Sequence, residues 1–195
     1  VCEGQEREIA SGYQFARGLI QERIVAAHLL AEQIARQPEP VASHSDQAIL
    51  LVLSADGQFP ISSSGCSLPR LSGLTAQLAA SPLSGIEVDS LGRLLAVGTF
   101  PRPGQVVVAA LPFTCADARA IKEATGLESS FFAGSARAVT TLRDQSDRPV
   151  TDPLSPDEWA ALLPQAGRLR WTSSPDSAGQ SYLQLMVPLY GLDGT

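Results

Sequence analysis

Apolar residues recur at steps of three and four through the start of the chain: Ile9, Tyr13, Ala16, Ile20, Ile24, Ala27, Leu30 and Ile34. That spacing places them on one face of an α-helix. Glu6, Arg7, Arg17, Glu22, Arg23, Glu32 and Arg36 supply the charged remainder. Pro38 and Pro40 stop the helix, because proline lacks the amide proton that a further turn needs. At ~1.5 Å per residue, a helix over residues 3–37 is roughly 50 Å long, longer than one small packed module covers. It is expected to be a spine along which other pieces sit, or a rod that pairs with a second copy of itself. The plainer alternative is the core-facing helix of one domain. Gly4, Gly12 and Gly18 weaken the helix by about 1 kcal/mol each relative to alanine, unless they admit close backbone approach. Charges interrupt every window of about 20 residues, which excludes a membrane span here.

Beyond the prolines the pattern changes to short apolar runs separated by turns. Residues 48–54 are rich in strand formers, and Asp56-Gly57 is a hairpin signal before Gln58-Phe-Pro-Ile61. Residues 69–80 read as a helix with Leu71, Leu74 and Leu78 on one face and Pro69 in its first turn; Pro82 and Gly85 close it. Two strands follow, residues 93–100 and 105–113, joined by a turn over 101–104. The second is almost wholly apolar, as expected of a strand covered on both faces. Thr114 is placed to cap a helix over 115–125, with Asp117 at the positive end of its dipole and Gly126 ending it. The order of elements then repeats. Residues 127–132 and 136–142 flank a turn at 133–135, Ser155-Pro-Asp-Glu158 is a capping box opening a helix through Leu163, and residues 168–172 and 181–189 form a last strand pair. Strands in hairpins with single helices between them predict an α+β fold of small antiparallel sheets with flanking helices.

Composition narrows the function. The 195 residues are 44% hydrophobic and 17% charged, with a net charge of −6 and no basic cluster. This is a folded chain with no electrostatic footprint for nucleic acid or an anionic membrane surface. It begins Val-Cys-Glu and ends in a turn, which reads as a piece cut from a longer protein. Cys2, Cys66 and Cys115 are an odd set without zinc spacing. In an oxidising compartment Cys66 and Cys115 are candidates for a disulfide, and Cys115 falls in the first turn of the expected helix.

Catalytic signals are absent. His28 lies within the helix and His44 in the loop after it, neither in a metal-ligand pattern. No nucleophile elbow or phosphate-binding glycine loop occurs, and the paired carboxylates Asp157 and Glu158 are accounted for by the capping box. The expectation is a protein that is not an enzyme and carries no cofactor or metal.

A long leading helix running into small antiparallel sheets resembles the Cache family, extracytoplasmic sensory relatives of PAS domains. Leu50-Val-Leu-Ser-Ala-Asp-Gly57 looks like the opening hairpin of that family. Residues 106–113 with the helix at 115–125 look like the last strand of one module and the link to another. Tyr182-Leu-Gln-Leu-Met-Val-Pro-Leu189 before Asp193-Gly194 looks like the closing strand. The resemblance implies a spine helix over residues 1–40, a membrane-distal Cache/PAS-like module over 41–113, a connecting helix over 114–126 and a second, membrane-proximal module over 127–195. It further implies a periplasmic or cell-surface sensor of a histidine kinase, cyclase or chemoreceptor, anchored by flanking transmembrane helices and homodimeric through the N-terminal helix. In such a module a small molecule sits between the sheet and a covering segment, here residues 59–84. Arg70 and Arg93 are the candidate partners of an anionic ligand, an arginine fork suiting a carboxylate, and Phe59, Phe100 and Phe113 are candidate pocket walls. The arginine–tryptophan–tyrosine cluster of the amino-acid receptors does not occur in residues 59–113, so the likeness does not extend to an amino-acid ligand. Two other readings stand beside this one: a cytoplasmic PAS- or GAF-like regulatory module, and a structural or adhesion domain without a small ligand.

Overall fold

The computed structural model describes residues 2–39, 43–44, 47–54, 68, 75–144, 146–162, 169–173, 181–189 and 192. The chain is α+β. In order it forms α1 (Cys2–Ala35), β1 (Ser43–His44), β2 (Ile49–Ser54), α2 (Thr75–Ala80), β3 (Ser84–Val88), β4 (Leu94–Arg102) and β5 (Gln105–Pro112). Then come α3 (Cys115–Thr125), β6 (Ser130–Ala133), β7 (Ala136–Thr140), α4 (Pro156–Leu162), β8 (Leu169–Ser173) and β9 (Ser181–Leu185). The leading helix is a single element of 34 residues. Two compact units divide the chain. One, the sheet unit, holds Leu19–Phe113 and Tyr190–Thr195; the other, the hairpin unit, holds Val1–Gly18 and Thr114–Leu189. Each therefore takes part of α1.

In the sheet unit five antiparallel strands run in the order β1-β2-β5-β4-β3. The β4–β5 ladder closes at Arg102 and Gln105, so the turn is only Pro103-Gly104, with Gly104 at φ 73°. Glycine takes that left-handed conformation without steric cost. Directly paired residues share a face of the sheet. One face carries Ile49, Leu51 and Leu53 from β2, Leu95 and Val97 from β4, and Val106, Val108 and Ala110 from β5. Leu68, Leu78 of α2 and Leu192 join it in one buried cluster. The opposite face carries Val107 and Ala109, packed with Leu30, Ala31, Ile34 and Ala35 of α1 and with Leu50 and Phe100. The apolar run of β5 is covered on both sides, as its composition implies.

Gly98 lies on the α1 face, paired with Ala109. A Cβ there would overlap the backbone of Ala27 and His28, so glycine is what lets the helix lie on the strand. At the helix's C-terminal end Arg102 donates from Nη1 to the carbonyl of Gln37 at 3.1 Å, placing a cation where the helix dipole is negative.

β3 was not expected: Pro82 and Gly85 read as the close of a helix, yet Ser84–Val88 pairs with β4 from Ser84↔Gly98 to Val88↔Leu94. The apolar–polar alternation runs only from Ile86 to Asp89, and the burial does not follow it, since Gly85, Ile86 and Glu87 are all buried, so the pattern is too short to outweigh the helix-closing signal before it. The helix expected over 69–80 appears as Thr75–Ala80, residues 69–74 falling outside the described set, as does the expected strand over 58–61.

In the hairpin unit the helix signals hold. The Asp117 carboxylate accepts the Thr114 amide at 2.7 Å and its hydroxyl at 2.9 Å. Gly126 takes φ 72° and returns its N–H to the carbonyl of Lys122 at 2.7 Å, and Lys122 pairs with Glu128. β6 and β7 form one two-stranded ladder with an irregularity between Phe131 and Phe132, and β8 and β9 form another. Within this unit the face of α1 at Gly12 meets Leu127 and Thr125.

The capping box of α4 also forms, Ser155 N–H reaching Glu158 Oε2 at 2.8 Å and Glu158 N–H reaching Ser155 Oγ at 3.3 Å. The Ser155 amide, then its hydroxyl, hold the Glu158 carboxyl below its ordinary pKa, with a smaller contribution from Arg137. A depressed folded-state pKa contributes stability that is full above the unfolded value, about 4.3, and is lost as pH falls through the folded value. The melting temperature is therefore expected to lose a small, salt-sensitive increment as pH is lowered from about 5 to 3. Glu158→Gln, which has no carboxyl to titrate, should remove that increment without changing the rest of the profile. A difference between the two proteins that is constant with pH would reject this account.

Candidate functional site

The sheet face opposite α1 is where the expected lid would lie, because Leu68 and Leu78 both come from the chain between β2 and β3 and both pack there. Three polar side chains are buried along β3, β4 and the turn between them. Thr99, fully buried, accepts the Leu83 amide at 2.9 Å and donates to the Leu83 carbonyl at 3.2 Å, fastening the entry to β3 onto β4. Glu87 pairs across the ladder with Leu95 and so shares the face of that buried leucine. It is 2% exposed, and its Oε1 accepts the amide of Leu192 at 3.2 Å. Asp89, 4% exposed, accepts the amides of Leu91 and Arg93 at 2.9 and 2.8 Å through Oδ1, and Arg93 Nε at 2.7 Å through Oδ2.

The described residues among those picked out from the sequence, Arg93, Phe100 and Phe113, do not gather into one pocket. Phe59, Cys66 and Arg70 lie outside the described residues. Arg93 is engaged with Asp89 in the β3–β4 turn. Phe100 is not a wall of the lid face: its pairing with Val107 turns it to the α1 side, where its ring lies 6.3 Å from that of His28. Seven residues of extended chain separate it from Arg93, about 23 Å. Phe113 is buried just beyond β5, with its amide bonded to the Leu94 carbonyl at 2.9 Å. Cys115 is a free, exposed thiol and not half of a disulfide. The reason is positional: α3 buries Asp117, Ala118 and Ile121, and residue 115 falls off that face.

His28 sits on α1 against the sheet rather than on its solvent side, and its Nδ1 is buried without a hydrogen-bond partner among the described residues. An open polar depression of about 290 Å³ lies in the loop after β7, lined by Asp144, Arg148, Pro149, Val150, Thr151 and Asp152. Asp144 is already used there, accepting the amides of Ser146 and Arg148. Among the described residues no three His, Cys, Asp or Glu side chains form a metal-holding group, and no helix is long and apolar enough to cross a membrane. Glu87 and Leu192 were missed by sequence reasoning. The one signal in the sequence was a glutamate between Ile86 and Val88, which a helix-closing reading of Gly85 concealed.

No protein-family model matches the sequence, and no curated protein or solved structure matches it either.

Proposed function

We propose that this chain is a non-catalytic sensory domain of Cache type, the extracytoplasmic ligand-binding part of a transmembrane signalling protein such as a histidine kinase, cyclase or chemoreceptor. The observation that carries the reading is the continuity of α1, one helix of 34 residues of which each compact unit takes a part. A sensor needs an element common to the part that binds and the part that relays. In the sheet unit, a small anionic ligand would be held between the lid-side face and the chain following β2. Arg70, two positions beyond the buried Leu68, is the cation retained for it, since Arg93 already has its carboxylate. Binding would shift the balance between two arrangements of that segment.

Association of two copies through α1 belongs to the same proposal. Phe15, Val25 and Leu29 of the helix are exposed, Leu29 by 55%, and Gly4 and Gly18 have open space where a side chain would be. Sedimentation measures this directly, and a chain that stays monomeric at its highest soluble concentration rejects it.

The test of the sensor reading is a thermal-shift and calorimetric titration with a panel of mono- and dicarboxylates. A true ligand raises the melting temperature in a saturable way, and Arg70→Ala abolishes the shift while the protein stays folded. A panel that produces no shift replaces this reading with the structural or adhesion domain. A parent protein without apolar spans of about 20 residues on either side rejects the extracytoplasmic placement in favour of a cytoplasmic regulatory module.

A further inference from the structure

We draw no further inference here: the strongest candidate, the outward face of α1 within the sheet unit, where Val25 and Leu29 stand exposed, belongs to the association of two copies already proposed, and nothing in the structure shows what covers it.

Discussion

Gly98→Ala is expected to lower stability by about 2 kcal/mol or more, with a fall in melting temperature of roughly 4–8 °C for a chain of this size. The added methyl would collide with the backbone of Ala27 and His28. A backbone held in a helix cannot rotate aside as a side chain does, so either α1 lifts from the sheet or β4 bends. Alanine gains about 0.5–1 kcal/mol over glycine in chain entropy, an offset already allowed for in that figure. Gly12→Ala is the control. There the methyl would meet mainly the tip of Leu127, a flexible side chain that can change rotamer, and helix propensity favours alanine by about 1 kcal/mol. Gly12→Ala should therefore be near neutral. Thermal denaturation of the two variants decides it: if Gly98→Ala melts as high as the wild type, α1 is not seated on β4 through this glycine.

The contrast shows where sequence reasoning stops. Gly4, Gly12 and Gly18 stand out because each interrupts a helical period, and close approach is an obvious purpose for them. Among the described residues only Gly12 of the three has a close neighbour, while Gly4 and Gly18 have none. Gly98 drew no notice, since a glycine inside an apolar run leaves a strand reading intact. Its partner is 70 positions away on α1, and no local pattern encodes that.

Elements with local causes were legible. The cap at Thr114, the capping box at Ser155, the stop at Gly126 and the hairpin at Gly104 each depend on residues within four positions of one another. The periodicity of α1 was equally plain. β3 was not, because its alternation spans only Ile86 to Asp89 and stands directly behind the helix-closing Pro82 and Gly85. Nor was the face taken by Phe100, which follows from the pairing register with β5 rather than from its neighbours in sequence. The candidate site suffered most, since it was assembled from residue types suited to a carboxylate before any partner within the chain was known. A cation with a carboxylate four residues away is first of all a candidate for that carboxylate, and Arg93 has taken it.

That pairing yields the other large effect. Asp89→Ala should cost about 3 kcal/mol and lower the melting temperature by roughly 6–12 °C. The carboxylate accepts two backbone amides and the Arg93 side chain, at 2.7 to 2.9 Å, and together these shape the turn that returns β3 onto β4. Alanine leaves both amides without their acceptor in a partly buried turn. Asp89→Asn keeps an oxygen for the amides and loses only the charge pair, so its effect should be roughly half as large. Arg93→Ala removes one bond from an aspartate that keeps two, and about 1 kcal/mol is expected because the arginine is partly exposed and its charge screened. The three values should fall in that order in urea denaturation. The series also decides what Arg93 is for. As a turn residue, Arg93→Ala costs stability and leaves the affinity for any carboxylate found in the titrations unchanged. As a ligand-binding residue it would do the reverse, leaving the urea midpoint unchanged while affinity disappears, and the assignment of Arg93 to the Asp89 turn would then be wrong.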